Sequence, residues 1–394
     1  MTSTTKLALW SAPFRPFFLL TAAYAILALI GWLAQLMGYF APAGIIDPMR
    51  WHAHEMIHGM VAAAIAGFLL TAMATWTGHR LLSGPGLKAL VALWLIGRLA
   101  MWSSAWLPPL AVSLLDLGFL LAVAIYAGKV IWQAGNHRNL IVVGVISALW
   151  LCNLAFHIGW LAVLPDLTRQ AELAAIALIV MLLVIIGGRI TPAFSRNWLR
   201  RHGGNDQAVR SLPWLEWTGL ILLLLLVGLA AGGAPGMALG LVAGLAGIAH
   251  LARLLLWSGW LTRADPLMWI LHVGYAWIPL GLLLMAWALL GPGLKDSAWL
   301  HALGVGAMSV MILGVMTRVA LGHSGRPLAL PAGAVWIYWL ILASALLRLL
   351  TGLDWLPWAS GLGLSTLAWI GAFTLFLVRY WSILIQPRFD GKPG

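Results

Sequence analysis

The 394-residue chain has a single cysteine, Cys152. That excludes internal disulfides and any four-thiolate zinc or iron–sulfur site. Cys152 lies within an apolar run and reads as a small packing residue. Charge is scarce: only 9% of residues are charged, and 11 Asp and Glu stand against 23 Lys and Arg. Few carboxylates are therefore available at mid-membrane to couple ion movement. The net charge of +12 raises the question of nucleic acid, but the basic residues are scattered over short loops and form no patch. No nucleic-acid partner is expected. Tyrosine is also rare, 6 against 25 tryptophans, and many indoles fall at the ends of apolar segments, where an interfacial belt sits.

What is present in excess is apolar surface. Hydrophobic residues make up 62% of the chain and the mean hydropathy is +0.95, beyond what a soluble domain of this size needs. Windows of roughly 20 apolar residues give about twelve spans. They lie near 17–38, 53–76, 87–106, 110–132, 140–164, 171–194, 214–231, 237–257, 266–290, 299–321, 332–350 and 357–383. Gly- and Pro-rich breaks such as Gly84-Pro85-Gly86 and Gly291-Pro292-Gly293 separate them. The first run is too long for a signal h-region and is expected to stay as the first membrane helix. The longest loop is expected around 195–213, polar and basic. The expected fold is all-α, a polytopic membrane helix bundle, with 1–394 forming a single integral-membrane domain in the lipid bilayer.

Charge orients it. With the N-terminus in the cytoplasm, the loop cluster Arg196, Arg200, Arg201 and Arg210 and most other basic residues fall on that side. The opposite side keeps Arg50, Arg169, Lys295 and Arg348. The positive-inside rule then places both termini in the cytoplasm.

The chemistry concentrates at Trp51-His52-Ala53-His54-Glu55-Met56-Ile57-His58, at the mouth of the second span. Ionisable residues inside lipid mark function by default, and neutral imidazole is a common metal ligand. His54 and His58, four apart, share one helix face. By depth, His52, His54, His58, His157 and His301 are expected to meet near the outer face. His79, His250, His272 and His323 are expected near the inner one. A lone histidine in a bundle is more often a hydrogen-bonded packing residue, which weighs on His157, His250 and His272. His137 and His202 are expected at the surface. Arg98, well inside span three, needs an anionic partner: Asp116, Glu55 or a haem propionate. Arg189 and Arg318 close spans six and ten, as positive-inside anchors or as propionate or lipid-phosphate contacts. The pair Gly187-Gly188 allows close approach of a flat cofactor or of another helix. Spans two and ten echo each other, each starting near an outer histidine and ending in Gly-His.

Several motifs recur in order: Phe14-Arg15-Pro16-Phe17-Phe18, Trp51-His52-Ala53-His54-Glu55-Met56 and Ala66-Gly67-Phe68-Leu69-Leu70-Thr71-Ala72. Trp76-Thr77-Gly78, Gly187-Gly188-Arg189-Ile190-Thr191-Pro192 and Leu271-His272-Val273-Gly274-Tyr275 follow. His301-Ala302-Leu303 and Thr317-Arg318-Val319-Ala320-Leu321-Gly322-His323-Ser324-Gly325-Arg326 complete the set. Over nearly the whole chain this resembles the NnrS family. The resemblance implies a bacterial inner-membrane protein with haem and copper, tied to nitric oxide, nitrosative stress and denitrification.

Carried over by position, His52, His54, His58, His79, His272, His301 and His323 become candidate metal ligands. His157 and His250 rest on depth alone. Glu55 becomes a proton handler or a partner behind the ligands, and Arg98, Arg189 and Arg318 become contacts to the cofactor. Nitric oxide is the expected small-molecule ligand, bound or, in an oxidoreductase with an electron donor the sequence does not name, turned over. Two other functions compete: a polytopic transporter, and a haem or metal assembly factor without nitric oxide turnover.

Overall fold

The computed structural model describes residues 8–39 and 47–392. The described residues are helical throughout, joined by turns, with no strand. Among them are twelve helices long and apolar enough to cross a membrane. In chain order these are α1 (Phe14–Leu36), α2 (Pro48–Thr77), α3 (Gly84–Trp102), α4 (Pro109–Gln133), α5 (His137–Leu161, opening on a 3₁₀ turn) and α6 (Pro165–Arg201). Then come α7 (Pro213–Ala231), α8 (Gly236–Leu255), α9 (Pro266–Leu290), α10 (Asp296–His323), α11 (Val335–Gly352) and α12 (Trp358–Ile385). The protein is a multi-pass membrane protein, as its hydropathy predicts.

Helix ends follow local chemistry. Proline opens α2, α4, α7 and α9, where its missing N–H is one of the unpaired first-turn donors. Asp47 caps α2, its side chain accepting from Met49 N at 2.8 Å, and Asp265 does the same for α9 with Leu267 N at 2.9 Å. Helix α2 stops at Gly78, whose φ of 71° suits a residue without Cβ.

Two expectations about ends need correcting. Helix α2 begins at Pro48, so His52, His54 and His58 lie in its second and third turns and not at its mouth. His54 is about 9 Å along the axis from Pro48 at 1.5 Å per residue. The polar stretch expected to begin the longest loop is helical as far as Arg201.

The chain divides into two compact units, Met1–Glu172 with Met316–Ala329 and Phe373–Gly394, and Leu173–Val315 with Leu330–Ala372. In the first, α1 packs on α2, α3 on α4 and α4 on α5. In the second, α7 packs on α8, α8 on α9, and α9 and α11 on α10. Exposed apolar side chains such as Leu114, Ile125, Leu224 and Leu251 suit a lipid-facing surface. Trp106, Trp132, Trp214, Trp355 and Trp358 are exposed at helix ends, as an interfacial belt requires.

Helices α2 and α10 share an irregularity. Each widens into a π-helical segment directly after a histidine, Glu55–Val61 after His54 and Ala302–Ser309 after His301. Such segments recur at functional sites. The echo between spans two and ten thus extends to backbone hydrogen bonding.

Candidate metal centre

The first unit buries a polar cluster among apolar side chains. The π segment of α2 supplies Glu55 and His58, and His54 precedes it. Arg98 comes from α3, Asp116 from α4, Asn153 and His157 from α5, and Tyr24 from α1. None of these is more than 5% exposed. Gly97 lets α3 come this close: a Cβ there would sit 3.2 Å from Asp116 Cα. Trp94 Nε1 donates to Gly59 O at 3.0 Å, satisfying a carbonyl inside the π segment.

Arg98 answers the question its sequence position raised. Its guanidinium donates to Glu55 Oε1 and to Asp116 Oδ1 together, so both candidate carboxylates share one cation. An unpaired guanidinium or carboxylate here would cost several kcal/mol. Tyr24 OH donates to Glu55 Oε2 and accepts from Trp102 Nε1 at 2.9 Å.

Asp116 Oδ2 faces three nitrogens: Asn153 Nδ2 at 2.8 Å, His157 Nε2 at 2.8 Å and His54 Nε2 at 3.2 Å. His54 Nε2 also lies 3.0 Å from Asn153 Oδ1, and its Nδ1 lies 2.8 Å from Glu55 Oε1. Both His54 nitrogens thus face oxygens. Because an ionised carboxylate only accepts, the contacts require a proton on each His54 nitrogen or a proton on one carboxyl. Either state leaves the cluster of Arg98, Glu55, Asp116 and His54 neutral overall.

His54, Asp116 and His157 each present a ligand atom within 4.8 Å of the other two. The nitrogen–oxygen edges of 2.8 and 3.2 Å match a coordination shell. Two ligands roughly 2 Å from one cation, at angles of about 90 to 110°, lie about 2.8 to 3.3 Å apart. Two imidazoles and a carboxylate suit copper better than a hard cation, and a cation there would displace the shared proton. His58 completes the group. Its ring centroid is 5.1 Å from that of His54, and its buried Nδ1 has no hydrogen-bond partner among the described residues. That unpartnered ring nitrogen makes His58 a further imidazole able to serve as a metal ligand.

The other predicted residues lie elsewhere. His52 stacks on Trp32 at 4.4 Å. His79 is exposed, and His323 packs its ring beside Phe14 at 5.9 Å. Arg318 is buried. In the second unit, His250 Nδ1 lies 3.0 Å from Tyr275 OH, which also accepts from Arg253 at 3.1 Å. His272 Nε2 pairs with Ser195 Oγ at 2.9 Å. His301 Nδ1 donates to Ser297 O, one turn back on its own helix, at 2.8 Å, and Arg189 is exposed. Gly187 and Gly188 make room for Met311 and the Arg253 guanidinium, so this pair serves helix packing. His137 and His202 are exposed, each against a tryptophan shortly before it in the chain, Trp132 and Trp198.

Sequence reasoning missed Asp116 as a ligand and missed Asn153 and Tyr24 altogether. Asn153 could have been noticed: it stands four before His157, on the same helix face.

Among curated proteins, none matches the chain. Residues 8–388 match the family model described as NnrS protein. That range holds the whole cluster, together with all twelve spanning helices, and the chain belongs to the NnrS family.

Proposed function

We propose that the first unit holds copper on His54, Asp116 and His157, offers His58 to a haem, and uses them to bind or transform nitric oxide. The observation that carries this reading is the convergence of three buried ligand atoms within 4.8 Å inside a membrane protein of this family. Bound together, the metals would supply one-electron chemistry and an open position for a diatomic ligand.

The chain's own residues have defined parts in this. Glu55 receives His54 Nδ1, which directs Nε2 toward the centre, the usual carboxylate–histidine arrangement behind a metal ligand. Arg98 occupies Asp116 Oδ1 and leaves Oδ2 as the ligand atom. Tyr24 fixes the far oxygen of Glu55. The apolar surroundings exclude water, while nitric oxide, small and uncharged, reaches the cluster through lipid without a polar channel. Glu55, which accepts from His54 Nδ1, is the group to accept or deliver a proton if turnover occurs. In this reading the protein lies in the bacterial cytoplasmic membrane with both termini inside, and limits nitrosative damage during denitrification.

Optical spectra of the purified protein, oxidised, reduced and reduced with nitric oxide, together with metal analysis, test it. The expected result is a stoichiometric Soret band that shifts with nitric oxide, and copper that is held more weakly by the His157→Ala protein. No Soret band and only substoichiometric copper, after expression with ample haem and copper, would overturn it.

A further inference from the structure

The N-terminal Phe14-Arg15-Pro16 motif and the Gly322-His323-Ser324-Gly325-Arg326 motif have no part in the buried cluster. Both meet the end of α12 within the first unit. Arg15, fully buried, donates from Nη1 to Leu384 O at 2.9 Å and to Gln386 O at 2.6 Å, the carbonyls that close α12. There the negative end of the helix dipole offsets its charge. Residues 388–390 run alongside 323–325. Arg388 Nη1 donates to His323 O at 2.8 Å, and Phe389 N donates to Ser324 O at 2.9 Å.

Three guanidiniums therefore gather at one end of α1, α10 and α12, with Asp390 beside them. Asp390 is committed to Arg388, which grips both its oxygens at 2.9 and 2.6 Å. Arg326 has no such compensation. Its Nη2 donates to the neutral Gln386 Oε1 at 3.3 Å, while its Nη1 is buried and has no hydrogen-bond partner among the described residues. Gln386 links Arg15 and Arg326, taking Arg15 on its backbone oxygen and Arg326 on its side chain.

Around this charge the surface is apolar. Trp381 is 53% and Phe389 77% exposed, at the helix-end level where aromatic rings and headgroups sit in a membrane. An excess guanidinium at that level, flanked by exposed rings, matches the phosphate of an anionic amphiphile. Arginine's planar fork pairs with phosphate through two parallel hydrogen bonds, and basic recesses between helix ends select anionic lipids.

We propose that Arg326, supported by Arg15 and Arg388, is a phosphate-binding site that holds the headgroup of an anionic phospholipid.

The test is thermal unfolding of the full-length, detergent-purified protein titrated with short-chain phosphatidylglycerol, short-chain phosphatidylcholine or inorganic phosphate. The expected result is a saturable rise in Tm with phosphatidylglycerol, a smaller one with phosphatidylcholine, and a loss of apparent affinity of about tenfold in Arg326→Gln. Arg138→Gln, at an exposed arginine outside the cluster, is expected to respond like the wild type. If Arg326→Gln does not fold, Arg326→Lys, which keeps the charge and loses the fork, is expected to bind phosphatidylglycerol measurably more weakly. Equal phosphatidylglycerol affinity in the wild type and the position-326 variant overturns the site. An equal response to inorganic phosphate overturns the lipid as its source and leaves a free-phosphate site.

Discussion

His157 Nε2 lies 2.8 Å from Asp116 Oδ2, while the other oxygen of that carboxylate is taken by Arg98. One buried carboxylate is thereby split between a permanent cation and an imidazole that can exchange its proton for a metal. Removing Arg98 leaves Glu55 and Asp116 buried without the guanidinium they share. Arg98→Ala should cost on the order of 3–5 kcal/mol, whereas Arg138→Ala at an exposed site should stay within about 0.5 kcal/mol. Thermal melting of the two variants in the same detergent checks this. Equal stability would mean that the buried ion pairs do not hold the first unit together.

His58 and His137 provide a pair with opposite expectations. His58 is buried without a hydrogen bond at Nδ1, and His137 is exposed against Trp132. His58→Ala should lose haem absorbance at the Soret band, and His137→Ala should leave the spectrum unchanged. If both variants keep the wild-type spectrum, the proposal that His58 holds haem is wrong.

Helix packing in the second unit can be tested at glycine. A methyl on Gly188 would fall 2.4 Å from Arg253 Nη2, whereas Gly228, within α7, has open space around it. Gly188→Ala should therefore destabilise by about 1–3 kcal/mol through overpacking. Gly228→Ala should be neutral or stabilise by up to about 1 kcal/mol through helix propensity. Comparable melting temperatures for the two variants would contradict the close approach at Gly188.

The hydrogen bonds of Arg388 hold the Asp390 carboxyl down to about 2, below the usual value of about 3.9. A lowered acid pKa contributes stability that is complete above the unfolded value and is lost as pH falls through the folded one. The contact between residues 388–390 and 323–325 should therefore keep its hydrogen-exchange protection at Phe389 N from pH 7 to about 4, and lose it as pH approaches 2. In Asp390→Asn that protection should already be weaker at pH 7. Identical protection profiles in the two proteins would exclude the Arg388–Asp390 pair as the clasp.

Orientation is open to a direct experiment. A reporter fluorescent only in the cytoplasm should light up when fused after residue 392, and one inserted between α9 and α10 should stay dark. The reverse pattern would invert the topology that positive-inside charge gives.

Hydropathy made all twelve spans readable because lipid-exposed helices cannot hide their composition. It misplaced the ends where polar residues continue a helix. Ser195–Arg201 extends α6 because helical hydrogen bonding does not stop at the edge of an apolar window. The start of α2 was written in Asp47-Pro48, a cap followed by proline, which a hydropathy window does not weigh. The π segments are a matter of hydrogen-bond register and leave no composition signal. In the site, Glu55, His54 and His58 stood out because three ionisable groups fall within five residues of a span. Asp116 stands singly on its helix and Asn153 has only His157 one turn on, so both gain meaning as site residues only when α4 and α5 pack against α2 and α3. The glycine pair at 187–188 left two partners open, and only tertiary contact identified them as a methionine and an arginine.

The most direct test of the metal centre is electron paramagnetic resonance of the copper-loaded protein beside its His157→Ala and Asp116→Asn variants. Copper on His54, Asp116 and His157 predicts a single signal at one copper per chain, with superhyperfine splitting from two imidazole nitrogens. That splitting should fall to one nitrogen in His157→Ala. The same copper content and the same splitting in all three proteins would place the metal elsewhere and contradict the assignment.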